Sequence, residues 1–396
     1  MIIDELVSIG RSRPLFSKDL EEYADSILDQ INESKFLVIG GAGSIGRSVC
    51  KEIFYRNPKV LHVVDISENS LVELVRDLRS TKGYIDGEFK TFAIDAGTEE
   101  FYRLLRNQDY DFVLNLSALK HVRSERDEYT LSRMLDVNIF NVRNCLSILE
   151  KKNIKKYFSV STDKAANPAN LMGASKRIME LFLLDESNQV KTSLARFANV
   201  AFSDGSLLHG FVNRFRKSQP IAAPNDVKRY FISHKESGEL CLMSLLYGDD
   251  LDILFPKTSG DLELTLFSDV AKNFIQAQGF EPYECETEDE ARRKSKELIQ
   301  KKLWPCFFFK SDTSGEKPYE EFFTGEEKLD LKLFKSLGVI KNSKLSITDK
   351  LKLFEQNIFE LRSSDKWSKS DIVLIIERLV EGFVHDKVSK NLDQKM

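Results

Sequence analysis

The chain has 396 residues, of which 42% are hydrophobic and 30% are charged, and its formal net charge is −4. This composition is typical of a soluble globular protein with one large domain or two smaller ones. The lack of a basic excess argues against a general nucleic-acid binder. The five cysteines lie far apart and no pair has metal-ligand spacing, so we expect free, mostly buried thiols, a reducing compartment and no metal site.

No apolar run reaches the roughly 18 residues that a membrane-spanning helix needs. Residues 1–16 contain early acidic residues and no apolar core of the signal-peptide type. We therefore expect a cytoplasmic protein without membrane insertion.

The first predicted element is a helical arm within residues 1–34. The stretch SKDLEEYADSILDQIN spaces Leu20, Tyr23, Ile27 and Ile31 at helical intervals, and Ser17 is the candidate N-cap.

Short strands and helices then alternate along the chain. The predicted strands are 35–40, 60–65, 89–95, 111–118, 156–161 and 191–200. Alternation of this kind indicates βαβ units and a parallel sheet covered on both faces. We predict an α/β fold with a Rossmann-type doubly wound sheet over residues 35–200. Beyond it the pattern is less regular, with a charged helix predicted over 286–302 and helices again from about 345.

The turn after the first strand reads GGAGSIG, which places glycines at 40, 43 and 46. Glycine allows a tight turn and a close approach of the backbone to pyrophosphate, and the helix that follows offers free N–H groups to phosphates. Asp65 ends the second strand, where an acid accepts hydrogen bonds from a ribose and disfavours a 2′-phosphate. We therefore predict NAD as the cofactor, with contacts from Gly40, Gly43, Ser44, Ile45, Gly46 and Asp65.

The ends of the third and fourth strands provide the other predicted cofactor contacts, which are Asp95, Ala96, Ser117 and Ala118. Asp95 is open to two interpretations, a contact to adenine or the N-cap of the next helix.

The stretch FSVSTDKAANPANLMGASK, Phe158 to Lys176, resembles the catalytic segment of the short-chain dehydrogenases/reductases. In that family a tyrosine stands four residues before a lysine, whereas here Met172 stands four residues before Lys176. Because methionine cannot transfer a proton, the chain is either a decayed reductase or an enzyme in which other residues move protons. The adjacent Thr162, Asp163 and Lys164 are the candidates for this role.

Further motifs narrow the resemblance. The segments VIGGAGSIG, VVDISENSLVEL, NLSALKHV, VSTDKAANPANLMGASK, RFANV, RYFIS and SGEKPYEE occur in the order typical of the extended short-chain dehydrogenases of polysaccharide biosynthesis. More narrowly, the chain resembles the CapD-like nucleotide-diphospho-N-acetylglucosamine 4,6-dehydratases, from about residue 9 to about residue 330. STDKA followed by M-x-x-x-K is the most specific part of this similarity.

This resemblance implies a smaller substrate lobe, predicted mainly over 201–335, and we assign 336–396 to a C-terminal helical extension. It also implies tightly bound NAD, a nucleotide-diphospho-sugar substrate, a homo-oligomer and a bacterial surface-glycan pathway. Some members carry a membrane anchor, and the chain resembles their catalytic portion without it.

The same resemblance implies roles for the catalytic residues. A 4,6-dehydratase oxidises the sugar at C4, removes a proton from C5 and expels the C6 hydroxyl as water. Asp163 is the candidate acid and Lys164 the candidate base, whose pKa must be lowered for this task. Thr162 is expected to bind the C4 oxygen and Lys176 the nicotinamide ribose, and Met172 becomes an apolar contact beside the sugar or nicotinamide.

The residues predicted by resemblance to bind substrate lie on several loops and are Lys120, Asn199, Ser206, Arg229 and Glu316. Arg229 suits a diphosphate because its guanidinium is planar and bidentate, and Glu316 is alternatively a surface-loop residue. His121 is open between a half-buried structural histidine and a catalytic one.

Two rival functions remain at this point. An epimerase acting at C4 or C5 on the same scaffold would retain the C6 hydroxyl, and a non-catalytic protein would bind NAD or a nucleotide sugar without turnover. The sequence leaves open the stereochemistry at C5 and the group that takes the C4 proton. It also leaves the base open between uridine, which we prefer, and guanosine.

Overall fold

A nine-stranded sheet forms the centre of the computed structural model, which describes residues 4–258, 262–311, 319, 321–364 and 366–385. The strands of the described residues are β1 (Lys35–Ile39), β2 (Val60–Asp65), β3 (Glu88–Ala93), β4 (Phe112–Asn115), β5 (Lys156–Thr162), β6 (Thr192–Phe197), β7 (Asn199–Val200), β8 (Ile221–Pro224), β9 (Lys228–Ile232), β10 (Asp252–Pro256), β11 (Leu264–Leu266), β12 (Glu281–Glu284), β13 (Leu303–Phe309), β14 (Leu329–Asp330) and β15 (Leu337–Ile340).

Helices cover the sheet and extend from both ends of the chain. The α-helices of the described residues are α1 (Glu5–Ser8), α2 (Ser17–Glu22), α3 (Ala24–Asn32), α4 (Ser44–Phe54), α5 (Glu68–Lys82), α6 (Glu99–Asn107), α7 (Glu128–Leu135), α8 (Asn141–Leu149), α9 (Leu171–Leu184), α10 (Leu207–Arg216), α11 (His234–Tyr247), α12 (Phe267–Ala277), α13 (Glu288–Gln300), α14 (Thr348–Ser363) and α15 (Lys369–Leu379). None of these helices combines the length and the apolar character that crossing a membrane requires.

The order of the large sheet is β14-β15-β10-β6-β5-β4-β1-β2-β3. Within this sheet, β10, β6, β5, β4, β1, β2 and β3 run parallel to one another, while β15 and β14 are antiparallel to their neighbours. The order 3-2-1-4-5-6 is that of the Rossmann fold, in which ligands bind beyond the carboxyl ends of the strands where the order reverses. The predicted fold class is therefore confirmed, and the reversal lies between β1 and β4.

The predicted strands recur with small shifts, except for the last. The stretch predicted as one strand over 191–200 is interrupted at Ala198, and its second part, β7, leaves the large sheet to pair with β9. Apolar residues stand on both sides of the break, so the local sequence gave no indication of the change of partner.

Two small sheets lie beyond β6. One has the order β11-β9-β7, and the other is a parallel sheet in the order β12-β13-β8. They share a core of buried aromatic side chains that includes Phe211, Phe231, Phe274 and Trp304. The charged helix predicted over 286–302 is α13, which connects β12 to β13 and is capped by Thr287.

The N-terminal residues pack into the protein, and one detail of their prediction is wrong. Ser17 is the first residue of α2 rather than its cap, and the predicted continuous helix is interrupted at Tyr23. Phe16, Ile27 and Ile31 join the core of the large sheet. The domain boundaries at 34, 200 and 335 stay predictions, although β15 within the predicted C-terminal extension is a strand of the large sheet.

Candidate active site

The glycine-rich turn lies between β1 and α4 at the point where the strand order reverses. Gly40 has a φ of 73°, and a Cβ there would lie 2.6 Å from the backbone nitrogen of Ser117. A Cβ on Gly46 would lie 2.2 Å from the carbonyl oxygen of Gly40. These contacts require glycine at both positions. Gly43 is the N-cap of α4, and no described side chain caps this helix end, so the amide groups at Ser44 and Ile45 are left for an anionic ligand or solvent.

Asp65 ends β2 beside this turn, as predicted. Its carboxylate accepts hydrogen bonds from the backbone nitrogens of Ala42, at 3.0 Å, and Ser67, at 2.9 Å. An ionised carboxylate offers about four lone-pair positions. The two that remain can receive the hydroxyl groups of a ribose.

The third and fourth strands end near the same edge. Asp95 lies two residues beyond β3 instead of ending it, and its carboxylate accepts from the backbone nitrogen of Gly97 at 2.9 Å. Thr98, not Asp95, is the N-cap of α6. Ala96 is buried. Ser117 and Ala118 follow β4, and Asn115 accepts hydrogen bonds from both the nitrogen and the hydroxyl of Ser117.

Thr162 to Lys164 form a tight polar group at the carboxyl end of β5. Thr162 ends the strand, and a 3₁₀ turn over Asp163–Ala165 follows it. One carboxylate oxygen of Asp163 accepts from the Thr162 hydroxyl at 2.8 Å and from the Lys164 ammonium at 3.0 Å. The Asp163 side chain is 4% exposed and that of Lys164 is 19% exposed. A proton donor, an acceptor and a hydroxyl thus share one hydrogen-bonded unit.

Helix α9 lies against this group. A Cβ on Gly173 would lie 2.6 Å from the carbonyl oxygen of Lys164, so the first turn of α9 packs closely on the 3₁₀ turn. Lys176, one turn further on, is buried and donates to the carbonyl oxygen of Val160 at 3.0 Å. Burial lowers the pKa of Lys176 to about 8, although the nearby Glu180 carboxylate opposes this shift.

Met172 is buried within an apolar cluster that α9 shares with α7, α14 and α15. This core position is compatible with an apolar role. Its predicted contact with the sugar or nicotinamide stays a prediction.

Lys120 and His121 follow β4 and face the segment between β7 and α10. The Lys120 ammonium donates to the Ser203 hydroxyl at 3.4 Å, and the His121 ring packs on Gly205. Partial burial lowers the pKa of the Lys120 ammonium, and the Asp204 charge opposes this shift. Asp204 exchanges hydrogen bonds with the Ser44 hydroxyl, at 2.8 and 2.9 Å. The start of α4 and Lys120 therefore both contact the segment between β7 and α10.

The other predicted substrate residues lie on or beside the two small sheets, or outside the described residues. Asn199 is in β7 and pairs with Phe231 of β9, the strand that also carries the buried Arg229. Ser206 is the N-cap of α10, where its hydroxyl accepts from the His209 nitrogen at 3.1 Å. Glu316 lies outside the described residues.

A buried charge network beneath the site was not predicted from sequence. Glu180 and Arg196 are both fully buried and form two hydrogen bonds, of 2.8 and 2.9 Å. Glu180 also accepts from the hydroxyl of Ser161, the residue before Thr162, while Arg196 reaches Glu327 at 2.8 Å. Burial would raise the pKa of Glu180, but Arg196 lowers it to about 2. The network could have been found from two features of the sequence, a glutamate within an apolar helix and an arginine within an apolar strand.

Asn138 connects the loop after β4 to α9. It lies in a π-helical turn, Asp136–Phe140, and is fully buried. Its amide bonds both the nitrogen and the oxygen of Leu119, at 2.9 and 3.1 Å, and the Ser175 hydroxyl at 2.9 Å. This geometry gives Asn138 a structural role.

All five cysteines are buried free thiols, in agreement with the expectation. Within the described ranges, no group of three or more His, Cys, Asp and Glu side chains converges in a way that would hold a metal ion.

The strand order and the glycine-rich turn at the switch point define a Rossmann-type fold of the nucleotide-binding kind. Residues 36–341 match the family described as "Polysaccharide biosynthesis protein". Because the match covers most of the chain, the protein belongs to this family.

Individual relatives are more distant. An uncharacterized membrane protein of Methanocaldococcus jannaschii is 28% identical over 315 residues, covering 78% of this chain and 86% of that protein. A UDP-N-acetylglucosamine 4,6-dehydratase (inverting) of Campylobacter jejuni is 26% identical, and a UDP-glucose 4-epimerase of Rickettsia bellii is 27% identical; each match covers 57% of this chain and 67% of the relative. The match to the capsular polysaccharide biosynthesis protein CapD of Staphylococcus aureus is 26% identical and covers 75% of this chain but 49% of that protein. The chain therefore spans about half the length of this relative.

Solved structures support the fold. Pen from Bacillus thuringiensis has a TM-score of 0.63 at 20% identity and covers 82% of this chain and 98% of its own. The Bordetella bronchiseptica enzyme WbmF, in complex with NAD+ and UDP, has a TM-score of 0.52 at 16% identity and covers 63% of this chain and 78% of its own.

Proposed function

We propose that this chain catalyses the NAD-dependent 4,6-dehydration of a nucleotide-diphospho-N-acetylglucosamine to the 4-keto-6-deoxy sugar, in bacterial surface-glycan synthesis. We prefer UDP over GDP in the substrate. The observation that carries this proposal is the hydrogen-bonded group Thr162–Asp163–Lys164, packed against the first turn of α9 and one turn from the buried Lys176. The similarity to a named 4,6-dehydratase supports the same reaction.

The residues at the switch point fit NAD. A Cβ at Gly40 or Gly46 would collide with backbone atoms, so glycine allows the tight turn that brings the start of α4 towards a pyrophosphate. Asp65 would accept from the adenosine ribose, and Lys176 would bind the nicotinamide ribose. NAD, when bound, would accept a hydride from C4 of the sugar and return one at C6.

The protein's own groups would carry out the proton transfers. Asp163 would act as the acid that protonates the departing C6 hydroxyl, and Lys164 as the base that takes the C5 proton. Their mutual contact of 3.0 Å provides a route for a proton between them. Thr162 would bind the C4 oxygen, and the positive charge of Lys176 would favour an alkoxide there.

The nucleotide would extend from this group towards the small lobe. Arg229 suits a diphosphate by its planar geometry, and the half-buried Asn199 lies on the neighbouring strand. Lys120 would contact the sugar or its phosphates. Ser206 and Glu316 stay candidates by resemblance to the family.

Epimerisation is the second candidate, favoured by the comparable similarity to a named UDP-glucose 4-epimerase.

One experiment separates the two reactions. The purified protein is incubated with UDP-GlcNAc and GDP-GlcNAc in parallel, without added reductant, and the products are examined by mass spectrometry. Loss of one water from either sugar establishes the dehydratase and identifies the base. An unchanged mass with an altered sugar NMR spectrum contradicts dehydration and indicates an epimerase, and no change in either contradicts both for these sugars.

A further inference from the structure

The C-terminal helices lie outside the region that matches the family yet share a core with the helix that carries Met172 and Lys176. The family match ends at residue 341, and α14 and α15 follow it. The shared core includes Leu171, Met172 and Ile178 of α9 together with Leu351, Ile372 and Ile376 of the C-terminal pair. Because apolar side chains of both partners are buried in this one core, α9 depends on the C-terminal pair for part of its packing.

Polar contacts attach this pair near the carboxyl end of α9. Asp185, the residue after α9, is 3% exposed and accepts from the Thr348 hydroxyl at 2.9 Å. Thr348 is the first residue of α14. The end of one helix is thereby fixed to the start of the other.

The amino end of α9 is held by its N-cap Asn170, which accepts from the Gly173 nitrogen at 2.9 Å, and by Glu125, which no motif singled out. Glu125 ends the 3₁₀ turn Val122–Glu125, is 8% exposed and accepts from the Leu171 nitrogen at 2.6 Å. A carboxylate at a helix N-terminus satisfies amide groups that the helix cannot pair and interacts favourably with its dipole. Glu125 thus fixes the turn that carries Met172.

The first residue of α15, Lys369, acts on the same carboxylate. Burial raises the pKa of Glu125, while the bond from Leu171 and then the charge of Lys369 act in the opposite direction. Lys369 therefore favours the ionised form of Glu125, which accepts the bond from Leu171 more strongly than a neutral acid would. The C-terminal pair contacts α9 through the shared core, which includes Leu171 at its amino end, and through Thr348 at its carboxyl end.

We infer that Glu125 is a positioning residue that fixes the first turn of α9, and that the C-terminal pair, which shares a core with this helix and is bonded to its carboxyl end, is coupled to this turn and forms part of the catalytic scaffold. This inference rests on the proposed dehydratase function for its catalytic consequence. A displacement of about 1 Å in this turn is enough to lower turnover, because proton transfer depends steeply on geometry.

The test compares E125Q, K369M and the control E355Q with the full-length wild type. Glu355 of α14 pairs with Arg143 of α8 at 2.8 Å, so E355Q removes an ion pair that attaches the same C-terminal pair without contact to α9. Hydrogen–deuterium exchange of peptides spanning 170–176 measures the first turn of α9, and steady-state kinetics with the nucleotide sugar measures kcat and KM. K369M changes a half-exposed side chain and tests the coupling even if E125Q does not fold.

We expect E125Q to exchange about tenfold faster in α9 and to lower kcat about tenfold, with KM within about twofold of wild type. K369M should shift both in the same direction by less, and E355Q should shift neither. Wild-type exchange in α9 of E125Q and K369M, unchanged kcat despite faster exchange, or equal losses in E355Q would each overturn the inference. A wild type without dehydratase activity overturns the proposed function instead, and the exchange data then still decide whether the coupling exists.

Discussion

Lys176 provides a titration that links the geometry of the site to its pH dependence. Burial lowers its pKa to about 8, against the opposing charge of Glu180. The ammonium form dominates below this pH and is lost above it. If the cation stabilises the C4 alkoxide, kcat should fall as the pH rises through about 8.

The measurement is a pH profile of kcat between pH 6 and 10, with activity recovered on return to neutral pH as the control for unfolding. A profile that stays flat to pH 10 contradicts a role for the charge of Lys176.

The adjacent acid and base give a mutational prediction. Lys164→Ala and Asp163→Asn should each lower the rate of water loss by a factor of about 10² to 10⁴, because each removes one partner of general acid–base catalysis. NADH affinity, measured by fluorescence titration, should stay unchanged in both. Lys151→Ala, at an exposed lysine after α8, is the matched control. Wild-type turnover in either catalytic variant removes that residue from the mechanism.

Part of the site could be predicted at the residue scale. The glycine turn, Asp65 and the group at Thr162–Lys164 are contiguous motifs at strand ends, and the structure places them at one edge of the sheet. Glu125 was missed because its partner, Leu171, is 46 residues away and donates through its backbone. A hydrogen bond from a backbone amide does not depend on the side chain of its residue, so the sequence does not reveal it.

At the scale of elements, α9 and β6 are joined by the fully buried pair Glu180–Arg196. We expect Glu180→Gln to destabilise the fold by about 3–5 kcal/mol, because it leaves a buried guanidinium without its full counter-charge. Arg76 and Glu73, both exposed, form an ion pair within α5, and Glu73→Gln is the control, with an expected cost below about 1 kcal/mol. Urea denaturation measures both. Equal midpoints for the two variants would show that the buried network contributes no more than a surface pair.

The contact of α11 with α4 contains a second unusual carboxylate. Glu239 is 2% exposed, and one of its oxygens has no hydrogen-bond partner among the described residues. Burial raises its pKa to about 7; Lys235 opposes this shift, and the charges of Glu52 and Glu236 add to it. Because this folded-state pKa exceeds the unfolded value, ionisation destabilises the fold as the pH rises through about 7.

Glu239→Gln should therefore raise the free energy of unfolding at pH 8 by about 1–3 kcal/mol and change it little at pH 5. Thermal melts at the two pH values measure this, with Glu297→Gln on the exposed face of α13 as the control. A gain that is equal at both pH values contradicts the titration of Glu239.

Elements with strong local patterns were predictable, and long-range partnerships were not. The six parallel strands of the Rossmann core are apolar runs between helices, so their period and turns identify them. The unit β12–α13–β13 was recognised only by its charged helix, because β12 is polar and Glu281 and Glu284 at its ends are exposed. The docking of α14 and α15 on α9 depends on contacts across more than 150 residues, which no local window contains.

At the scale of the whole molecule, the N-terminal segment connects two cores. Ile9 belongs to the core of the small sheets, whereas Phe16 belongs to the core of the large sheet. Between them, Arg11 forms two hydrogen bonds of 2.6 Å with the buried Glu236 at the start of α11. The segment thereby spans from the lobe proposed to bind the nucleotide sugar to the sheet proposed to bind NAD. Homo-oligomerisation stays a prediction.

The central claim is a redox-neutral dehydration in which the hydrogen taken from C4 is returned to C6. The measurement that tests it most directly uses UDP-GlcNAc deuterated at C4, incubated with the protein without added reductant and followed by mass spectrometry and NMR. We expect a product that has lost one water and carries the deuterium at C6. A product that has kept its oxygen, or one that has lost water but carries no deuterium at C6, would contradict this dehydration mechanism.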